Sequence, residues 1–364
     1  MDRGGIENWL MHLLRRIDRS RYRMDFLVRS GQAGFYQDEV ERLGSRMIPC
    51  AGHRNPWRYA HRFVDAVRSY GPYDVVHAHL NRYNGMIMRL AARADVPVRI
   101  AHCHTDRRRT DEERSPNGRA YLTLMRRWIR RHATLKLAAS RGAAEYLYGA
   151  AWATQPDTSI VHCGLDVSVF ATPGDPEPIR AALGVPPGAL VIGHVGRLVR
   201  EKNHDFLLSI AAAAMRLDRR LCLLLVGSGP LQSEISARAR ALGIAEKVIF
   251  AGSRDDVPAL MRSAMDVFVF PSVFEGLPMA LVEAQAAGLP CIVSDRVPCE
   301  ADVVEPLIRR LSLDAPVADW ASALLEVAGR RPMTAAEALG QVRVSNFNIE
   351  CSLKAITQLY EGRA

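Results

Sequence analysis

"FVFPSVFEGLPMALVEAQAAGLPCIVSD", residues 268–295, reads as strand, loop, helix and strand with almost nothing left over. The run "DVFVFPS" (266–272) is short, apolar and rich in Val and Phe, as a buried strand is. Pro278 suits a helix start, and Gly288 with Pro290 ends that helix before the next apolar run, "PCIVSD" (290–295). Two strands joined by a helix within so few residues make a parallel βαβ unit. Glu275 falls just ahead of the helix start and Glu283 falls within the helix, so two carboxylates border one loop. The backbone N–H groups of Gly276 and Leu277 point out of the helix start, ready for an anion.

The same alternation extends through the chain. Strand-like runs lie at 23–28, 45–50, 74–79, 98–104, 135–140 and 158–164, and then at 190–196, 221–227, 247–252, 266–272 and 290–295. Amphipathic stretches such as 56–69, 118–132, 203–217, 230–242 and 278–287 separate them. Between the two sets, Pro173, Pro176, Pro178, Pro186 and Pro187 crowd a stretch that suits a linker between separately packed units. The expected organisation is an N-terminal domain over 1–169, a second domain over 170–345, and a last helix within 346–364 that packs back toward the first. The 364 residues, 48% hydrophobic and 24% charged, are enough for two such cores.

Composition excludes several classes. No apolar run is long enough to span a membrane, and the basic, amphipathic start lacks the apolar core of a signal peptide. The expected location is therefore cytoplasmic. Seven scattered cysteines without a C-x-x-C pair argue against a disulfide framework and a zinc site. Residues 1–150 hold 28 Lys and Arg against 15 Asp and Glu, while the remainder is mildly acidic, so the whole net +9 comes from the first part. Such a surplus suits nucleic acid, an anionic membrane or an anionic substrate, and composition does not choose.

Chemistry concentrates at strand ends. After the strand 190–196, "GRLVREKN" puts Arg197 and Lys202 in the loop beyond a parallel strand's carboxyl end, where open α/β sheets bind ligands. The next strand ends in "VGSGPL", whose Gly227 and Gly229 let backbone approach a ligand, with Pro230 at the start of the following helix. In the first half, "VVHAH" and "AHCHT" each end a strand with two histidines.

With "DRGGIENWLMHLLRRID", "YDVVHAHLNRYNG", "RIAHCHT", "HCGLDVSVF", "GRLVREKN" and the E-x7-E stretch in this order, the sequence resembles the retaining glycosyltransferases of family 4, the large GT-B group. The likeness is nearest to the capsular and exopolysaccharide branch. It implies α/β architecture of the GT-B type, two Rossmann-like domains facing across a cleft, and an enzyme of hexosyltransferase type. By that resemblance Arg197 and Lys202 take the donor diphosphate, Glu283 takes the ribose hydroxyls, and Glu275 holds the transferred sugar beside the 276–278 backbone. Gly196, Gly227, Gly229 and Gly252 border the nucleotide, and His104 faces the donor sugar. His102 is the alternative, two residues away on the same strand face; His77 and His79 have weaker claims.

The resemblance further implies a UDP-linked sugar as donor, a glycan or lipid-linked acceptor, no nucleic acid, and no cofactor or metal, since preorganised positive charge stabilises the leaving group. A lipid-linked acceptor and the arginines of "RRWIRR", "DRRRT" and "RRIDRSRYR" also suit a peripheral position on an anionic inner membrane face. Rival readings are a nucleotide-sugar epimerase of similar shape and a basic nucleic-acid-binding protein, though no aromatic readout residues are interleaved with the arginines. One departure stands out: Cys163–Gly164 occupies a position where many relatives have Asn-Gly. Finally, Gly4 and Gly5 form a strand-to-helix turn that approaches donor or acceptor in the resembled family, yet only Met1 to Arg3 precede them, so the first strand is expected to be missing.

Overall fold

The computed structural model describes residues 4–28, 34–51, 55–108, 115–172 and 174–362. The chain divides into two units, Met1–Leu165 with Ile349–Ala364, and Asp166–Asn348. The dividing lines expected from sequence are 169/170 and 345/346.

In the second unit six parallel strands, β7 (Leu190–Val195), β8 (Leu221–Val226), β9 (Val248–Gly252), β10 (Val267–Phe270), β11 (Cys291–Ser294) and β12 (Ile308–Leu311), form one sheet in the order β12-β11-β10-β7-β8-β9. Every residue of β8, "LCLLLV", is buried, as expected of a strand covered by helices on both faces. Ile192, Leu223, Val269, Ile292 and Trp320 join strands and helices in one core. The chain runs outward from β7 to β9 and then returns to the other side of β7 for β10. The order therefore reverses between β7 and β10, and such a switch point is where open α/β sheets have their ligand crevice, at the strands' carboxyl ends. β12 is the one strand absent from the sequence-based expectation. Its "IRRL" carries two arginines at the sheet edge, where Arg310 donates to Asp302 Oδ1 and Oδ2 at 2.7 Å and apolar patterning is not needed.

The first unit holds a parallel sheet β3-β4-β5-β6 made of Val75–Ala78, Val98–Cys103, Leu135–Ala138 and Thr158–Ile160. A separate parallel pair is formed by β1 (Phe26–Val28) and β2 (Met47–Pro49). Among the described residues no strand bridges the pair to the four-stranded sheet. Met1 to Arg3, on which the missing-strand expectation turns, lie outside the described residues.

The helix Gly5–Arg16 buries Trp9, Met11, Leu13 and Leu14, close to the face read from the sequence. The last helix, Ile349–Tyr360, packs within this same unit. Trp9 Nε1 donates to Ser352 Oγ at 2.8 Å, and Ile349 N donates to the Leu165 carbonyl at 2.9 Å. Gly164 makes that return possible, because a Cβ there would lie 2.5 Å from Ile349 Cα.

Candidate active site

The turn after β7 carries Gly196, Arg197 and a short 3-10 helix, Arg200–Lys202. The loop after β10 carries Glu275. Val273 N donates to the Glu201 carbonyl at 2.9 Å, which ties the two loops together over the crevice. Lys202 Nζ then lies 2.6 Å from Glu275 Oε1, with side chains 17% and 11% exposed. The lysine also sits 4.6 Å above the Phe270 ring, a cation–π contact from the strand end itself. Two residues 73 positions apart in sequence thus meet at the switch point of the sheet. Arg197 is exposed on the same turn and, among the described residues, forms no ion pair.

The helix Met279–Ala286 starts just past this pair, with Pro278 at its cap position. Gly276 and Leu277 form the turn that leads into it. Glu283 is one turn further along, and burial pushes its carboxyl up to about 7. A carboxyl in such a place has its acceptor capacity unspent.

The glycines also have a packing role. Gly227 has φ +134, and a Cβ there would lie 2.1 Å from the Gly196 carbonyl oxygen. At Gly229 a Cβ would come within 2.5 Å of the Leu198 carbonyl oxygen. The space on the side-chain side of both is occupied by the chain's own β7 loop; Gly227 N also donates to the Gly252 carbonyl at 2.8 Å. Gly196 leaves room for the Lys202 stem, whose Cε would be 3.0 Å from an added Cβ. Pro230 does not open a helix, which begins at Gln232.

Sequence reading passed over two histidines under this site. His194 on β7 is fully buried, and its Nδ1 pairs with the Val269 carbonyl at 2.9 Å. His204 opens the following helix, its ring centroid 5.0 Å from that of His194. Burial first, and then mutual charge for His194 and Lys202 for His204, hold both neutral, His204 down at about 4. The only outward sign in the sequence is a polar residue inside the apolar run "LVIGHVG".

In the first unit β3 and β4 end side by side, and each delivers two histidines. His79 Nδ1 is 2.9 Å from His104 Nε2, and His77 Nε2 is 3.1 Å from His102 Nδ1. The His102 and His104 rings stack at 4.1 Å, and Trp9 stands edge-on to His79 and His102. Burial, chiefly, holds all four imidazoles neutral, His79 down at about 3. Cys163 Sγ lies 3.5 Å from His104 Nδ1, so the cysteine in "VHCG" touches the expected catalytic histidine directly. Asn81 Oδ1 accepts from His104 N at 3.0 Å and fixes the strand end. Gly4 caps the first helix and Gly5 begins it; a Cβ at Gly5 meets nothing within 4 Å.

Residues 175–335 match the family model "Glycosyl transferases group 1", and residues 4–157 match "Glycosyl transferase 4-like domain". The chain is 37% identical over 331 residues to the putative glycosyltransferase EpsF of Bacillus subtilis, with 90% of this chain and 85% of that protein covered. It is 32% identical over 225 residues to the lipopolysaccharide core biosynthesis mannosyltransferase LpsB of Rhizobium meliloti, covering 58% of this chain and 63% of that one. Among solved structures, Anabaena Alr3699/HepE in complex with UDP and glucose superposes with a TM-score of 0.80 at 20% identity, over 98% of this chain and 96% of that one. WaaG, a glycosyltransferase involved in lipopolysaccharide biosynthesis, does so at 0.71 and 16% identity, over 97% and 96%. The fold is GT-B.

Proposed function

The chain belongs to the group 1 glycosyltransferases, and from that premise we propose that it moves a sugar with retention from a UDP-sugar to a glycan or lipid-linked acceptor in surface polysaccharide biosynthesis, as a family 4 enzyme of the capsular and exopolysaccharide branch. The observation that carries the donor half is the Lys202–Glu275 pair at the sheet's switch point, beside a helix N-terminus and the buried Glu283. A nucleoside diphosphate needs cations and N–H groups at its phosphates and acceptors for its ribose hydroxyls, and this crevice offers each. Lys202, with Arg197, takes the diphosphate and stabilises it as the bond to the sugar breaks. Glu275 turns to the transferred sugar, and Glu283 accepts from the ribose. The UDP found with Anabaena Alr3699/HepE and the UDP-Gal in the name of an Escherichia coli relative, 29% identical over 234 residues, support the choice of nucleotide.

The acceptor half has thinner support. The lipopolysaccharide and diphosphoundecaprenol in relatives' names favour a surface glycan on a lipid carrier. No helix among the described residues is long and apolar enough to cross a membrane. Arg119, Arg127, Arg130 and Arg131 lie exposed on the helix Pro116–His132, which suits docking on anionic lipid at about 1 kcal/mol per cation. Incubating the protein with a panel of UDP- and GDP-sugars and measuring nucleotide release tests the reaction. Release from a UDP-sugar that depends on acceptor, with the anomeric configuration kept in the product, is expected. Release from no sugar nucleotide, or an inverted product, contradicts it. For docking, co-sedimentation with phosphatidylglycerol vesicles is expected, and equal pelleting with neutral vesicles counts against it.

A further inference from the structure

Four histidines stand at the ends of β3 and β4, and three of them bring ring nitrogens close together. The register pairs His77 with Ile100, so continuing it puts His79 opposite His102, with His77 on the same face. His77, His79 and His102 each offer one ring nitrogen, and these nitrogens lie within 4.8 Å of one another. We propose that His77, His79 and His102 bind a divalent transition-metal ion of the zinc class.

The geometry is close to what such an ion requires. Nitrogens bound tetrahedrally at about 2.0–2.1 Å stand roughly 3.3 Å apart, and His77 Nε2 and His102 Nδ1 are already 3.1 Å apart. The third ring must close by a side-chain rotation. If His77 binds through Nε2, its proton sits on Nδ1, which lies 2.9 Å from the Tyr360 hydroxyl on the last helix. That is the outer contact that fixes tautomer and ring plane in metal-bound histidines. Asn84 Nδ2, donating to the His102 carbonyl at 2.9 Å, holds the backbone of the other ligand. Three imidazoles without a carboxylate favour zinc, cobalt, nickel or copper over magnesium or calcium. His77 and His79 are only partly buried, which leaves the ion a way in and a coordination position for water.

The site is separate from the residues proposed for phosphate chemistry in the second unit. Because His104 bonds to His79 and stacks on His102, an ion bound here also fixes His104.

The test is titration of the full, chelator-treated chain with Co2+, read by visible absorption. The expected result is the intense spectrum of a low-coordinate nitrogen site, saturating at one ion per chain and bleached by Zn2+. His77→Gln and His102→Gln should each weaken binding by about tenfold or more. His61→Gln, on an exposed histidine of the helix Pro56–Tyr70, should leave it unchanged. Zn2+ should also raise the thermal midpoint of the wild type and not of His77→Gln. Should His102→Gln fail to fold, His77→Gln at its partly exposed position carries the comparison. A wild type with only a weak, six-coordinate cobalt spectrum, or an affinity that His77→Gln leaves unmoved, overturns the proposal and leaves the cluster a hydrogen-bonded imidazole ladder.

Discussion

Lys202 and Glu275 neutralise each other at 2.6 Å in a mostly buried place, so removing either leaves the other uncompensated. Substitution therefore separates two roles. Glu275→Gln keeps the shape and releases Lys202 for an anion; it is predicted to hold or tighten UDP affinity while turnover falls by about an order of magnitude or more. Lys202→Ala is predicted to weaken UDP and UDP-sugar alike. Equal losses of UDP affinity in both variants would refute the division of labour. Glu283 adds a pH signature. Its carboxyl titrates at about 7 because it is buried, and the carboxylate is the stronger acceptor for ribose hydroxyls. UDP-sugar affinity should rise between about pH 6 and pH 8, and Glu283→Gln should flatten the profile. Identical profiles in the two proteins would exclude that role. The same shift has a stability sign: the folded state holds its proton more tightly than the unfolded chain, so the stability this group contributes to the unliganded protein falls as pH rises from the usual carboxylate range toward 7.

At the scale of elements, the crevice depends on loops that touch backbone to backbone. Gly227→Ala would force a Cβ to 2.1 Å from the Gly196 carbonyl oxygen at φ +134, and a loss of about 1–3 kcal/mol is predicted, read as a lower thermal midpoint. An unchanged midpoint would show that the β7 and β8 loops are not clamped as described. The elements themselves were largely legible: "LCLLLV" and "VFVF" are apolar throughout, and Gly288 with Pro290 does end a helix. β12 was not, because an edge strand with two arginines has neither apolar run nor alternation. Of the candidate site, Lys202 and Glu275 were legible because each stands in a loop beyond a strand end, and Glu283 because it lies one turn into the helix that follows, all local signals. The packing of Gly227 and Gly229 on the β7 loop was not, since a glycine that admits a neighbouring loop has no mark of its own in sequence. Nor was the histidine cluster, which is made by the register of β3 on β4 between residues 25 apart. The Cys163 contact with His104 spans 59 residues and has no local trace at all.

Across the whole molecule, thiols report folding. Cys50, Cys103, Cys163, Cys222 and Cys291 are buried, and burial pushes the Cys103 and Cys163 thiols up to about 12, while Cys299 and Cys351 are exposed. An aromatic disulfide reagent should modify Cys299 and Cys351 quickly and the others only on unfolding; fast reaction of Cys163 would show the first unit's core to be open. The basic surplus, net +13 over residues 1–150, belongs to the sequence of the first unit, while Lys202 and Glu275 belong to the second. On the proposed reading, donor binding rests on a few placed groups of the second unit, Lys202 first among them. Calorimetric titration of UDP into the wild type and Lys202→Ala tests this most directly. Wild-type binding that weakens by about tenfold or more in the variant, measured at a temperature where both proteins are folded, is the predicted result, with a lower thermal midpoint from the uncompensated Glu275; unchanged UDP affinity in a folded Lys202→Ala would contradict the assignment of the switch-point crevice as the donor site.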